Sequence, residues 1–190
     1  MSSSDQFIRC EWAVGNSLLV EYHDHEWGVP QHDDTRLFEN FVLDGFQAGL
    51  SWLTILKKRD AFWQAFDAFD IQKVADYNME KVTELLNNDG IIRNKSKIEA
   101  AINNAKKVLI IQDEFGAFSN YLWQFADGKP IINTWKSDKE IPPNSPVSDA
   151  MSRDMRKRGF TFAGSTICYA FMQAVGIVND HIASCFCHNR

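Results

Sequence analysis

The chain has 190 residues, a net charge of −5 and 45% hydrophobic residues, with 14 Phe and 6 Trp among them. This composition excludes a disordered chain and a small disulfide scaffold, and the length allows one sizeable core or at most two small lobes. The longest uncharged apolar stretch, residues 45–56, is too short to span a bilayer, so we expect a cytoplasmic protein without a membrane partner.

Apolar periodicity and capping residues predict helices along almost the whole chain. Asn16 is expected to precede a short helix, Asp33 a second helix, and Ser51 a third that continues to Phe66. Further helices are predicted, in chain order, at about residues 74–77, 80–86, 97–113, 118–125, 147–157 and 165–175. No alternating strand pattern of useful length is present, so the sequence predicts an all-α fold.

Residues 130–146 hold four of the five prolines and are typical of an irregular connection. The sequence shows no internal repeat, low-complexity tract or linker. We therefore expect a single domain that spans residues 1–190.

Asp44 is the only charged residue between Asn40 and Lys57, and it lies on the core-facing stripe of the second predicted helix. An isolated carboxylate there is costly unless it is paired or hydrogen-bonded. Aromatic residues are dense in the surrounding sequence: Trp12, Tyr22, Trp27, Phe46 and Trp52. Rings around a carboxylate suit a planar or cationic ligand. However, aromatic residues at helical spacing are more often core, and Asp44 could instead have a structural partner.

Four metal-type residues lie near the two ends of the chain: Cys10, His23, His181 and Cys185. Two thiolates and two imidazoles complete a tetrahedral zinc site with no open position, as structural zinc sites do. The spacing does not match a zinc finger, and two buried thiols beside two polar histidines would give the same pattern. His25, Cys187 and His188 are competing ligands.

The segment RKRGFTFAGSTICYAF, residues 156–171, places a basic turn, a glycine-to-glycine hairpin and a new helix in succession. Backbone N–H groups at such a turn and at a helix N-terminus can bind a phosphate, and neighbouring cations neutralise it. We therefore predict a helix-hairpin-helix DNA contact at about residues 147–176, although many helical hairpins turn at glycine. The candidate DNA contacts are Arg158, Gly164, Ser165 and Thr166.

Taken together, these features resemble the DNA-3-methyladenine glycosylase I family of bacterial base-excision enzymes. The matching segments are collinear and cover nearly the whole chain: Cys10-x-Trp12, YHDHEWGVP at 22–30, FQAGLSWLTILKKR at 46–59, DGIIRNKSKIEAAINNA at 89–105, KRGFTFAGSTICYAFMQAVGIVNDH at 157–181, and Cys185. The resemblance implies a helix-hairpin-helix glycosylase fold and hydrolysis of the N-glycosidic bond of 3-methyladenine in alkylated duplex DNA. It also implies free 3-methyladenine as the product and a monomeric enzyme.

The resemblance also implies a role for each candidate residue. One structural Zn²⁺, joining the N- and C-terminal segments, is expected on Cys10, His23, His181 and Cys185. The flipped base is expected to enter a pocket formed by Trp12, Tyr22, Trp27, Trp52 and the catalytic, base-recognising Asp44. Leu50 is expected to wedge into the gap that the flipped nucleotide leaves.

Two positions depart from the family pattern. The family usually has Glu at the position of Asp44 and Tyr at that of Leu19, so the lesion preference could differ. Asp180 lies near the position of a catalytic Asp in the wider superfamily, but it directly precedes a predicted zinc ligand. Two alternative functions remain open: a DNA-binding protein without catalysis, and a zinc hydrolase that uses the Cys/His site directly.

Overall fold

The computed structural model describes residues 7–189, and most of its α-helices begin at a residue whose side chain accepts a backbone N–H of the first turn. The helices are α1 (Ser17–His25), α2 (Asp34–Gln47), α3 (Trp52–Leu56), α4 (Arg59–Ala65), α5 (Ile71–Ala75), α6 (Met79–Asn87), α7 (Lys95–Phe115), α8 (Phe118–Trp123), α9 (Pro146–Lys157) and α10 (Ser165–Ala174). The Asn16 side chain accepts the N–H of Leu18, and Asp33 accepts that of Arg36. The all-α prediction is confirmed. The ends of the predicted domain, residues 1–6 and 190, lie outside the described residues.

The helix that the sequence predicts from Ser51 to Phe66 is divided into α3 and α4, and the prediction of one helix is wrong. Lys58 has a non-helical backbone (φ −109°, ψ 1°), which ends the first helix before the second begins. Trp52, the first residue of α3, is only partly buried. Phe62 of α4 is buried against Phe46, with ring centroids 4.8 Å apart.

Buried apolar side chains form two groups of unequal size. The main core packs α2 against α7 and α10 and includes Leu37, Phe41 and Phe171. A separate small cluster joins the two ends of the chain and consists of Cys10, Tyr22, Trp27, Ile182, Cys185 and Cys187. The candidate metal ligands and pocket aromatics therefore lie beside the main core rather than inside it.

Two short strands pair in parallel, and the sequence did not predict them. Strand β1 (Ile131–Ile132) pairs with β2 (Val178–Asn179) in the register Ile131 to Val178. Two residues are too few to produce an alternating pattern in the sequence. Just before β2, Gly176 has φ +72°, and a Cβ there would lie 2.4 Å from the backbone nitrogen of Pro30. This close approach holds the segment after α1 against the end of α10.

In the part of the chain that the structure describes, no helix has the length and apolar character that crossing a membrane requires.

Candidate active site and metal centre

A cavity of about 400 Å³ lies between α1, α2, α3 and α10. All five residues predicted to bind the base line it: Trp12, Tyr22, Trp27, Asp44 and Trp52. They come from the 3₁₀ turn Glu11–Ala13, from α1 and the segment after it, from α2, and from the first residue of α3. Residues that are distant in sequence thus form one concave surface.

The aromatic walls of this cavity are braced by contacts between the rings. Trp12 meets Trp27 edge to face at a centroid distance of 4.9 Å, and Tyr22 meets Trp52 at 5.2 Å. Edge-to-face and tilted pairs at these distances are favourable. The rings therefore form fixed walls of a size suited to a planar ligand.

Asp44 is almost entirely buried, with 4% of its surface exposed. Burial raises the pKa of its carboxyl group well above the ordinary range, because the charged form loses its hydration. Among the residues that the structure describes, its Oδ2 atom has no hydrogen-bond partner. Such a carboxylate is costly for the empty protein, and a cationic ligand would remove that cost.

Two other buried polar atoms share this property, Trp52 Nε1 and Asp138 Oδ1. Within the described residues, these two and Asp44 Oδ2 are the only buried side-chain nitrogen or oxygen atoms without a partner, and all three residues line the same cavity. Buried polar groups in folded proteins are nearly always hydrogen-bonded. Their coincidence here indicates a site for a ligand with polar groups of its own.

The four predicted metal ligands, Cys10, His23, His181 and Cys185, are buried together, and their ligand atoms all lie within 4.8 Å of one another. Cys185 Sγ lies 3.5 Å from His23 Nε2 and 3.6 Å from His181 Nδ1, which is 3.8 Å from Cys10 Sγ. A tetrahedral zinc ion with ordinary Zn–S and Zn–N bonds separates sulfur and nitrogen ligands by about 3.6 Å. The donor set and its spacing fit a closed zinc site.

Neighbouring groups fix the orientation of both imidazoles. His23 Nδ1 donates to Asp24 Oδ1 at 2.8 Å, and Asp24 in turn accepts two nitrogens of Arg9 at 2.7–3.0 Å. His181 Nε2 donates to the backbone oxygen of Trp27 at 3.1 Å. These bonds leave Nε2 of His23 and Nδ1 of His181 facing the thiols, as outer partners of metal ligands commonly do.

The three competing ligands have other positions. His25 is exposed and interacts with Glu21 on its own helix. His188 Nε2 donates to the backbone oxygen of Asn133 at 2.8 Å. Cys187 is buried close to His23 and Asp24, and its backbone N–H donates to Cys185 Sγ at 3.4 Å. The structure thus gathers the predicted four into one group, and it places Cys187 in a second group with His23 and Asp24, whose ligand atoms also lie within 4.8 Å of one another.

The predicted hairpin joins α9 to α10 and is tied to α7. Asn104 accepts the N–H of Thr161 and donates to the oxygen of the same residue, both at 2.9 Å. The first backbone bond of α10 runs from the N–H of Cys168 to the oxygen of Gly164, so the N–H groups of Ser165 and Thr166 lie ahead of the helical ladder. The start of α10 therefore has N–H groups without helical partners, and the carboxylate of Asp149 lies beside them, where it accepts a hydrogen bond from Ser165 Oγ.

Arg158 lies at the end of α9 but is engaged within the protein. Its guanidinium bonds Glu114 at 2.6 and 3.1 Å and Asp154 at 2.8 Å, and it lies 5.0 Å from the ring centre of Phe115. The carboxylates of Glu114 and Asp154 therefore neutralise the positive charge of Arg158, which the sequence predicts to contact DNA. The exposed cations of the same helix, Arg153, Arg156 and Lys157, line an open groove together with Ser165.

Leu50 is 41% exposed at the tip of the turn between α2 and α3. The turn is held from below by Lys97, whose Nζ donates to the backbone oxygens of Phe46 and Ala48 at 2.8 and 2.7 Å. Gly49 has φ +80°, a backbone conformation that most side chains avoid. An apolar side chain is thus presented to solvent on a braced turn.

Asp180 is fully buried and surrounded by donors. Asn133, Trp135, Tyr169 and Gln173 each donate a side-chain hydrogen bond of 2.7 Å to its carboxylate. A carboxylate saturated in this way is a structural connection between β1, α10 and the segment after β2. The hydrogen-bonding pattern gives Asp180 no free oxygen for catalysis.

Sequence reasoning missed several residues of the cavity, above all Asp138 and Gln173. Asp138 belongs to the proline-rich connection, where no periodicity assigns a direction to its side chain. Its Oδ2 accepts the N–H of Trp12 at 3.0 Å, a contact across 126 positions that no local pattern encodes.

Comparison with known proteins gives consistent matches over nearly the whole chain. The methyladenine glycosylase family model matches residues 12–188. DNA-3-methyladenine glycosylase 1 of Escherichia coli is 45% identical over 180 residues, which are 95% of this chain and 96% of that protein. A crystal structure of 3-methyladenine DNA glycosylase I is 48% identical, with a TM-score of 0.92, covering 95% of this chain and 100% of that one. A variant of such an enzyme in complex with 3-methyladenine is 31% identical with a TM-score of 0.92, covering 96% and 98%.

Proposed function

The chain belongs to the methyladenine glycosylase family, and we propose that it is a base-excision repair enzyme that hydrolyses the N-glycosidic bond of 3-methyladenine in alkylated double-stranded DNA. The observation that carries this function is the aromatic cavity with its unpaired buried polar atoms, Asp44 Oδ2 foremost. A related glycosylase has been crystallised with 3-methyladenine bound.

The cavity supports recognition of a base that has left the helix. Extracting a nucleotide from the duplex costs a few kcal/mol, which stacking and hydrogen bonds in the pocket recover. Each base–ring stack contributes about 1–3 kcal/mol. Trp12, Tyr22, Trp27 and Trp52 supply the rings, and free 3-methyladenine is the product released from them.

Charge supports discrimination between the damaged and the normal base. Methylation at the ring nitrogen makes the adenine base cationic, and a cation next to Asp44 favours the ionised carboxylate that burial otherwise disfavours. Neutral adenine offers no such compensation. Asp44 thus stabilises the lesion more than the undamaged base.

The same charge supports the chemistry. As the glycosidic bond breaks, its electron pair neutralises the cationic ring, and a water molecule bonds to the anomeric carbon and releases a proton. Because the base is already a good leaving group, the enzyme needs mainly binding and electrostatic stabilisation of the transition state. Asp44 is the group proposed to supply this stabilisation.

We propose that DNA lies across the turn of Leu50 and the start of α10. Leu50 fills the gap left by the extruded nucleotide, and the N–H groups at Gly164, Ser165 and Thr166 bind a phosphate. Arg158 keeps its predicted place at this surface, but its two carboxylate partners make the exposed Arg156 and Lys157 stronger candidates for phosphate contacts.

We propose one structural Zn²⁺ held by Cys10, His23, His181 and Cys185. When bound, the ion would link the N- and C-terminal segments through four coordination bonds. With four protein ligands it has no open position for a reacting group. This argues against the zinc hydrolase alternative. Cobalt substitution tests it: we expect a tetrahedral spectrum without an exchangeable water.

We propose that the enzyme is a monomer of one domain. DNA as the substrate supports the expected cytoplasmic location.

The decisive experiment measures release of free 3-methyladenine from methylated duplex DNA by the purified protein. We expect release of the modified base and an abasic product. Normal binding of methylated DNA without release would favour the non-catalytic alternative. Release of other methylated bases, with 3-methyladenine left in place, would instead show that Asp44 has changed the lesion preference.

A further inference from the structure

Asp138 lies in the 3₁₀ turn Asp138–Glu140, within the connection between β1 and α9. The two oxygens of its carboxylate have different surroundings. Oδ2 accepts the backbone N–H of Trp12 at 3.0 Å, which fixes the orientation of the group. Oδ1 is buried and, among the described residues, without a partner. Asp138 therefore has one unpaired acceptor, and it lines the same cavity as Asp44.

The unpaired atoms of the cavity are two carboxylate oxygens and one indole N–H, so they comprise two acceptors and one donor. The 3-methyladenine base has one group with N–H bonds, the exocyclic amine, and this amine carries two hydrogens. Its ring nitrogens supply acceptors for a donor such as Trp52 Nε1. The two unpaired acceptors thus match the two hydrogens of the amine, and the one unpaired donor can bond a ring nitrogen.

We propose that Asp138 is a second base-recognising residue, whose Oδ1 accepts a hydrogen bond from the exocyclic amine of the flipped base. This inference rests on the proposed function. Asp138 and Asp44 share the recognition of the base, and Asp138 at the same time holds Trp12 in the aromatic wall. A carboxylate in this position favours an amine over a carbonyl group and a cation over a neutral base.

The substitution Asp138→Asn separates the two contacts of the side chain. An amide oxygen can still accept the N–H of Trp12, so the aromatic wall keeps its anchor. The amide NH₂ then takes the place of Oδ1, where its hydrogens oppose those of the base amine. Glu140→Gln is the matched control, because Glu140 is exposed on the same turn and its carboxylate accepts only the N–H of Lys136, at 2.9 Å, among its hydrogen bonds in the described chain.

The experiment measures kcat/KM for excision, the Kd of free 3-methyladenine and the Kd of duplex DNA that contains an abasic-site analogue. For Asp138→Asn we expect excision and free-base affinity to fall by about tenfold or more, as loss of a charge-assisted hydrogen bond implies. Affinity for the abasic analogue should stay within about twofold, because that DNA leaves the base pocket empty. Glu140→Gln should match the wild type in all three.

Two results would overturn the proposal for Asp138. One is free-base affinity equal to that of the wild type. The other is a parallel loss of abasic-DNA affinity and thermal stability, which a purely structural role through Trp12 predicts. If the wild type and Glu140→Gln also release no base, the proposed function fails instead, and the free-base titration still tests Asp138.

Discussion

The Cys/His group and the base cavity are both buried, yet they differ in how their polar atoms are satisfied. In the Cys/His group, each imidazole has an outer hydrogen-bond partner and thiol neighbours at 3.5–3.8 Å. In the cavity, three buried polar atoms have no partner in the described protein. Burial alone therefore does not distinguish the two regions. The Cys/His group has the closed arrangement of a structural metal site, whereas the unpaired atoms of the cavity need a partner from outside the described protein.

The two regions share a wall. The ring of Trp27 packs against His181 at a centroid distance of 4.6 Å, and Trp12 packs against His23 at 5.4 Å. The same two tryptophans also line the cavity. We therefore expect substitutions in the Cys/His group to alter the cavity. Substitutions in the cavity should leave the Cys/His group intact.

The largest combined effect, on metal content, stability and excision together, is expected from Cys185→Ala, which removes a ligand from the Cys/His group. We expect loss of bound metal, a lower thermal unfolding midpoint, and excision reduced by about 100-fold or more because the aromatic wall shifts. Elemental analysis, thermal unfolding and base release measure these. Cys168→Ala, a buried thiol of the main core, is the control and should keep its metal. Full metal content in Cys185→Ala would contradict the assignment.

The next largest effect is expected from Asp44→Asn, in the unsatisfied region. Excision should fall by about 10²–10³-fold, in line with the loss of a preorganised electrostatic group. Metal content should be unchanged. An activity close to that of the wild type would remove Asp44 from the mechanism.

Asp44→Asn should lower excision but raise the free energy of unfolding at neutral pH. The folded-state pKa of Asp44 is raised by burial, so the contribution of Asp44 to the free energy of unfolding is most favourable below the ordinary carboxyl pKa and declines as pH rises towards the folded-state value. Asparagine does not ionise, and it escapes this decline. Urea unfolding at pH 4 and pH 7 should show Asp44→Asn gaining on the wild type at the higher pH, by about 1.4 kcal/mol for each unit of raised pKa. A loss at pH 7 would give Asp44 a structural role.

A smaller effect is expected from Asp24→Asn, which changes the outer partner of His23 without removing a ligand. Metal affinity should fall by about 10–100-fold. Competition with a chelator measures this, and Glu21→Gln, exposed on the same helix, provides the control. Equal affinity in the two variants would show that His23 needs no such partner.

The smallest effect concerns the hairpin, where Arg158 is satisfied and Arg156 is exposed. Arg156→Ala should lower the slope of log K against log salt for DNA binding by about 1, whereas Arg158→Ala should leave it nearly unchanged. Binding titrations at several salt concentrations measure both slopes. The reverse ranking would show that DNA displaces Glu114 and Asp154 from Arg158.

Features that depend on neighbouring residues could be predicted from the sequence. Helix starts after Asn16, Asp33 and Ser51 follow from side chains that cap within three residues. The four metal-type residues were recognised because thiols and imidazoles are chemically distinctive, and the family resemblance then assigned their role.

Features that depend on distant contacts could not be predicted. The division between α3 and α4 accompanies the packing of Phe62 on Phe46, which periodicity does not show. The basic run at Arg158 gives no indication that Glu114, 44 positions away, neutralises it. Asp138 reaches Trp12 from a connection without any period. In each case the deciding partner lies far along the chain.

Because the small cluster is separate from the main core, the protein could lose activity without unfolding. The aromatic rings of the cavity pack with the Cys/His group, whereas most of the helices pack around α2 and α7. Cooperative units with different local stabilities can open independently. If the proposed zinc is bound, its removal would then inactivate molecules that still have nearly all of their helix. The fraction of molecules that are folded would then exceed the fraction that are active in repair. The active fraction would depend on the concentration of available metal.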